Sequence, residues 1–311
     1  MKILLTGASS FTGLWFARRL AATGHHVVAP LKAARSAYSG LRKERVTELD
    51  RVAEVVESCP FGSSAFTDLV RSGSWDILCQ HASRVGDYRN PEFDVAAALA
   101  ENTHNLAPVL KLMLDRGLAG VVLTGTVFEQ DEGAGDAPLR AVSPYGLSKG
   151  LTWQHYRFLS ETTGFTLGKF VIPNPFGPYE EPRFCNFLIG SWLRGETPAV
   201  RTPDYVRDNV HVDLLSIAYA DFVGRVPRER GQFRYNPSLY VETQGAFATR
   251  LAAEMAPRLG MACPIDFLEQ TDFSEPKTRI NTDKIGDTAS TWSESGAWDA
   301  HAAFYLDRRD K

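Results

Sequence analysis

The chain has 311 residues, 44% hydrophobic and 23% charged, with a net charge of −3. That length can bury a substantial core as one large domain or two joined ones, and the composition is that of an ordinary soluble globular protein. The slight acidic excess argues against a broad nucleic-acid-binding surface, and no apolar run is long enough to span a membrane. Four scattered cysteines, Cys59, Cys79, Cys185 and Cys263, form no CxxC pair, which predicts reduced thiols without a zinc site or disulfide framework. No basic, cleavable apolar segment precedes Lys2, so a cytoplasmic location is expected by elimination.

Short β-rich runs alternate with helical patterns along the chain. A strand at 3–6 leads to a helix at 12–23, a strand at 27–29 to a charged helix at 39–51, and a strand at 53–57 to a helix at 66–71. The fourth strand, 76–80, precedes one long amphipathic helix at 94–116; the fifth, 120–124, precedes a helix reaching about residue 162; a further strand covers 166–172. This alternation predicts βαβ units with right-handed crossovers, hence a parallel sheet covered on both faces. The Gly-, Asp- and Glu-rich segment 129–139 reads as a mobile loop. Beyond Ile172, Pro173, Pro175, Pro178 and Pro182 argue against regular structure. Residues 210–212 then read as a short strand and 213–223 as a helix returning to the sheet.

Two motifs carry chemistry. Thr6-Gly7-Ala8-Ser9-Ser10-Phe11-Thr12-Gly13 joins the first strand to the first helix. In a dinucleotide-binding turn, Gly7 permits the tight bend, Gly13 lets helix and strand approach, and the helix N-terminus presents N–H groups to a pyrophosphate. Ser10 stands where a middle glycine is usual, its hydroxyl placed to donate to the phosphate. The second strand ends at Leu31 without an acid for a ribose 2′-OH, while Lys32 and Arg35 follow, which leans towards NADP, with NAD still possible. The second motif, Tyr145-Gly-Leu-Ser-Lys149, puts a phenol and an ammonium one helical turn apart. A phenol titrates near ~10, and a neighbouring cation favours its anion, which suits proton exchange with an alcohol or ketone.

Together these motifs resemble the extended short-chain dehydrogenase/reductase family of nucleotide-sugar epimerases, dehydratases and reductases. Further matches keep the family's order over residues 1–240. Ile77-Leu-Cys-Gln-His-Ala-Ser83 resembles its fourth strand, Asn174-Pro-Phe-Gly-Pro178 its Asn-x-Tyr-Gly-Pro turn, and Arg207-Asp-Asn-Val-His-Val-Asp213 its Arg-Asp-Phe-Val-His-Val-Asp segment. Tyr235-Asn236 resembles the later strand that leads back to the substrate region. The resemblance implies an α/β fold: a Rossmann-type doubly wound parallel sheet with a smaller, discontinuous C-terminal substrate-binding domain. We expect residues 1–173 and 203–232 in the dinucleotide-binding domain, and 174–202 and 233–311 in the other.

It also implies a catalytic hydroxyl after the fifth strand. The pattern Ser-Ser-x-x-Val-Tyr-Gly aligns with 123–129, giving Thr124, with Thr126 as the alternative and a substrate contact. Cofactor contacts are implied at His81, Ala82, Ser83, Asn102 and Ile172, besides the Gly7–Gly13 turn, Tyr145 and Lys149. Asn174 and Arg207 would hold a nucleoside diphosphate, with Arg183 and Arg201 as further anion-binding candidates. The family's 4,6-dehydratases carry Thr-Asp-Glu where this chain has Thr124-Gly125-Thr126. Elimination needs a placed acid and base, so reduction or epimerisation of a nucleoside-diphosphate sugar is expected instead. The alternatives are reduction of a non-nucleotide ketone and a non-catalytic NAD(P)-sensing role. A homodimer through the Tyr145 helix and the long helix before it is also implied, with Leu151, Trp153, His155 and Phe158 supplying either that surface or core.

Overall fold

The structure is a computed structural model describing residues 1–86, 90–286 and 292–309. β1 (Lys2–Thr6) leads into α1 (Phe11–Ala22), β2 (His26–Pro30) into α2 (Gly40–Leu49), and β3 (Glu54–Val56) into α3 (Ser64–Arg71). β4 (Ile77–Gln80) is followed by α4 (Val95–Asn102) and α5 (Leu106–Leu114), then β5 (Gly120–Thr126), the two-residue β6 (Ala134–Gly135), α6 (Pro144–Thr163) and β7 (Thr166–Ile172). Next come β8 (Asn174–Phe176), α7 (Phe184–Leu193), β9 (Ala199–Val200), β10 (Val206–His211), α8 (Val212–Arg225) and β11 (Gln232–Tyr235). β12 (Pro237–Ser238), β13 (Tyr240–Thr243), α9 (Gln244–Leu259), β14 (Asp266–Phe267), β15 (Arg279–Ile280), β16 (Asp283–Lys284) and α10 (Glu294–Arg309) follow.

Seven strands form one sheet in the order β11-β7-β5-β4-β1-β2-β3, every pair parallel. This is the expected doubly wound Rossmann-type arrangement. Its order reverses between β1 and β4, so the crevice at their C-terminal ends is the switch point where such sheets take ligands. One face is an apolar layer in which Leu4, Leu78, Val121, Leu123 and Leu167 meet Phe66, Val109, Trp153 and Tyr156. On the other, Phe16 stacks on Tyr219 at 3.8 Å and Phe170 meets both edge-on.

The helix expected over 94–116 is two helices. Asn105 takes φ +49° between them and donates Nδ2 to Gly62 O at 2.7 Å. A Cβ on Gly62 would come 2.0 Å from His104 O, so the loop before α3 docks into the break. Tertiary contact overrides a helical pattern here.

The chain divides into two compact units. The first holds residues 1–132, 139–172 and 216–236; the second holds 133–138, 173–215 and everything from Pro237 on. Residues 203–215 thus fall in the second unit, not with the large sheet as expected, because β10 pairs with β8 and β13. Residues 233–236 go the other way, since β11 extends the large sheet beside β7. The proline-rich stretch does form a strand: Pro175 sits in β8, opposite Val210. β8 is an edge strand, where a missing N–H is tolerated.

Candidate active site

The Gly7 turn closes against the end of β4. Gly7 adopts φ +72°, and a Cβ there would lie 2.7 Å from Ala82 N. Thr6 Oγ1 accepts the N–H groups of His81 and Ala82 at 3.1 and 3.0 Å, fixing 81–83 beside the turn. Ser10 behaves differently from expectation. It is the N-cap of α1: its hydroxyl accepts Gly13 N–H at 3.1 Å and meets His81 Nε2 at 3.0 Å, so it is turned into the helix start. Thr12 Oγ1 meets the same His81 nitrogen at 3.1 Å. Burial, with the Lys149 charge adding to it, pushes the His81 imidazole down to about 3, so it is neutral. A Cβ on Gly13 would come 2.3 Å from Gly7 O, so this glycine is needed for the close approach.

The cations expected at the end of β2 are occupied. Lys32 pairs with Glu101 at 2.5 Å; Arg35 holds Glu57 at 2.7 Å and Asp50 at 2.6 Å. Arg42 on α2 points to the turn instead: its Nε and Nη2 donate to Ser9 Oγ at 3.3 and 3.1 Å, and its guanidinium lies 5.3 Å from the Tyr38 ring centroid. Arg45, fully buried, donates to Ser9 O at 3.0 Å. Neither α2 arginine was singled out from the sequence, where 39–51 read only as a charged helix.

α6 begins at the N-cap Ser143, with Pro144 in its first turn, and carries Tyr145 and Lys149. Lys149 Nζ donates to Thr124 O at 2.5 Å. The Tyr145 ring meets Phe93 edge-on at 6.2 Å. Asn102 is a bracket: its carboxamide accepts Arg84 N–H at 2.9 Å and donates to Ser83 Oγ and Thr152 Oγ1 at 3.3 and 3.2 Å, tying the segment after β4 to α6. Ile172 ends β7, its carbonyl accepting Val127 N–H at 3.0 Å. Thr124 pairs in register with Phe170, so its side chain shares the face of Phe16 and Tyr219, and its hydroxyl is buried beside that of Tyr219. Thr126 Oγ1 accepts Phe128 N–H at 3.4 Å.

The segment expected to be mobile is anchored by its acids. Glu129 and Glu132 are buried, and both bond Lys169 of β7, at 2.5 and 2.6 Å. Asn236 donates to Glu132 at 3.1 Å. The sequence reading missed this cluster. Its one signal was a lone lysine inside the otherwise uncharged strand Thr166–Ile172.

Asn174, Arg183, Arg201 and Arg207 all lie in the second unit. Arg207, expected on a diphosphate, is 8% exposed and holds the segment 275–277. Its guanidinium donates to the carbonyls of Val206, Pro276 and Lys277, pairs with Glu275 at 3.0 Å and lies over Tyr205. Arg183 and Arg201 are exposed, and Asn174 pairs in register with Asn209.

Residues 3–218 match the family model described as the NAD dependent epimerase/dehydratase family. The chain belongs to this family. No curated protein matches its sequence. Among solved structures it is similar to a UDP-glucuronic acid 4-epimerase from Bacillus cereus bound to a fluorinated UDP-sugar and NAD, with TM-score 0.74, 17% identity, and coverage of 99% of this chain and 100% of that one. The UDP-glucose 4-epimerase of Thermotoga maritima, with UDP-glucose, gives TM-score 0.74, 15% identity and 99% coverage of both chains. The dTDP-glucose 4,6-dehydratase DesIV of Streptomyces venezuelae, with NAD, gives 0.73, 18%, 100% of this chain and 98% of that one.

The residues present fit the family's dinucleotide. The Gly7 bend seats the turn against Ala82, where a side chain would clash; the first-turn N–H groups of α1 lie outside the helical ladder, with that of Gly13 taken by Ser10, and Lys149 ends at the tip of β5. Among the described residues no group of three or more His, Cys, Asp or Glu side chains could hold a metal ion, and no helix is long and apolar enough to cross a membrane.

Proposed function

We propose that this protein is an NAD(P)-dependent reductase or epimerase of a nucleoside-diphosphate sugar. The observation that carries the reading is the anchoring of Lys149 on the Thr124 carbonyl, one turn from Tyr145 and at the ligand-binding end of the sheet. A bound nicotinamide supplies the hydride donor or acceptor. Tyr145 exchanges the proton of the sugar hydroxyl or carbonyl, and the Lys149 ammonium favours its anion. Thr124 is proposed to orient the substrate oxygen, for which its buried hydroxyl would have to turn away from Tyr219; Thr126 is the alternative. Asn174, Arg183, Arg201 and Arg207 are proposed for the nucleotide side; Arg207 would have to leave Glu275 to reach a phosphate. The similar structures holding UDP-sugars support that substrate class.

Elimination is disfavoured because the stretch 124–126 holds no acid and the next one along the chain, Glu129, is fully buried on Lys169. For the cofactor, NADP is favoured on a different cation from those first expected: Arg42, held at Ser9 of the turn, suits a 2′-phosphate better than Lys32 or Arg35, whose charges are matched by carboxylates. Exposed Leu147, Leu151 and Phe158 on α6 support a homodimer, whereas Trp153 belongs to the core. A cytoplasmic location remains the proposal. The test is Tyr145→Phe: turnover of a UDP-sugar should fall about 10²–10⁴-fold with cofactor affinity kept, and undiminished turnover would sink the assignment.

A further inference from the structure

Behind the tip of β5 lies a charge cluster that the proposed reaction does not use. Lys169 Nζ stands 2.5 Å from Glu129 and 2.6 Å from Glu132, and all three side chains are at most 2% exposed. The other oxygen of Glu129 accepts Thr126 N–H at 2.9 Å. Two residues earlier, the Thr124 carbonyl takes Lys149 at 2.5 Å. The main chain of 124–126 is thus held from one end by an ammonium and from the other by a carboxylate. Gly125 makes the arrangement possible: a Cβ there would lie 2.8 Å from Lys169 Cε and 3.1 Å from Glu129 Oε1. Glu129 also occupies the glycine position of the pattern Ser-Ser-x-x-Val-Tyr-Gly. Well-packed apolar side chains often match or exceed a buried ion cluster in stability, so cohesion alone is a weak reason for this one.

We propose that Glu129, buttressed by Lys169, is a positioning residue for the reaction: it fixes the 124–126 main chain and supplies the counter-charge that keeps Lys149 an ammonium. The inference rests on the roles proposed for Tyr145 and Lys149. Burial pushes the Lys149 ammonium down to about 8; Glu129 opposes that fall and Lys169 adds to it. Among the described residues the neutral His81 after β4 also interacts with Lys149, and Tyr145 lies one turn away on its own helix.

Competitive acetylation of Lys149 by acetic anhydride across pH, read by mass spectrometry on the folded protein, follows its titration without substrate or turnover. Failure of the catalytic reading would appear in Tyr145→Phe and leave this measurement intact. In Glu129→Gln, which keeps an oxygen for the Thr126 amide, the midpoint should fall by about one pH unit, roughly fivefold more free amine at pH 7. Glu132→Gln removes a carboxylate from the same cluster but not from Thr126, and should leave the midpoint in place. An unmoved midpoint in Glu129→Gln, or an equal shift in Glu132→Gln, overturns the proposal. Should Glu129→Gln not fold, Glu129→Asp withdraws the carboxylate by one methylene; hydrogen exchange at Thr126 N–H should then quicken about tenfold, the loss of one charge-assisted hydrogen bond, and unchanged exchange overturns the proposal.

Discussion

Gly146 lies directly against the carbonyl of Phe128: a Cβ on it would come 2.2 Å from that oxygen and 2.9 Å from its carbon. Tyr145 and Lys149 flank this contact, so the glycine seats the start of α6 on the segment after β5. In Gly146→Ala two effects compete. Alanine gains about 1 kcal/mol of helix propensity, whereas a backbone clash of this kind costs about 1–3 kcal/mol or more. The clash should win, since backbone cannot swing aside as a long side chain can. Urea unfolding should show net destabilisation, and stabilisation would contradict the seating.

Arg42→Ala should separate the two cofactors. Removing a charge-assisted contact to a 2′-phosphate predicts about 10–100-fold weaker NADPH binding, with NADH changed less than about threefold. Tryptophan fluorescence titration measures both. Lys32→Ala should change neither, because that ammonium is paired with Glu101. Equal losses for NADPH and NADH in Arg42→Ala would count against a 2′-phosphate contact.

Lys149 makes stability depend on pH with a definite sign. Burial lowers its folded value from 10.5 to about 8, so between these limits the unfolded chain binds more protons and stability rises with pH. Lys149→Met should remove that rise, on the order of 1–3 kcal/mol, and should not destabilise the protein at pH 7. Denaturant unfolding at pH 7 and pH 10 compares the slopes; identical slopes in the two proteins would refute the linkage.

Glu180, in the second unit, carries the opposite sign. Burial pushes its carboxyl up from 4.5 to about 8, against hydrogen bonds from Gly177 and Asn186 main chain, the Arg183 charge and the Tyr305 hydroxyl. The folded chain therefore binds more protons from about pH 4.5 to 8, and stability falls as pH rises through that window. Glu180→Gln, which stays neutral, should be more stable than the parent at pH 9 by roughly 2–4 kcal/mol and nearly equal at pH 4.5. A thermal melt of each protein at both values decides it.

The features legible in the sequence were those whose chemistry is local. Gly7 and Gly13 bracket a turn whose geometry depends on neighbours within a few residues. Tyr145 and Lys149 share a face by helical periodicity alone, and the alternation of strands and helices implied the parallel sheet. The misreadings involve partners far along the chain. Lys32 and Arg35 looked like ligand cations because Glu101, Asp50 and Glu57 reach them from other elements. The segment 129–139 read as a mobile loop because Lys169, which anchors it, lies 40 residues beyond Glu129.

The sequence by itself determined the sheet, the Gly7–Gly13 turn and the one-turn spacing of Tyr145 and Lys149, because backbone conformation and helical spacing follow from short stretches of chain. Tertiary structure alone decided which charges are spoken for. It turned Ser10 inward as a helix cap, bound Arg207 to Glu275 and set Arg42 at Ser9. It also buried Glu129 behind the tip of β5. A charge takes its role from the nearest opposite charge or dipole in space, and burial multiplies that effect. Neither quantity exists until the chain has folded.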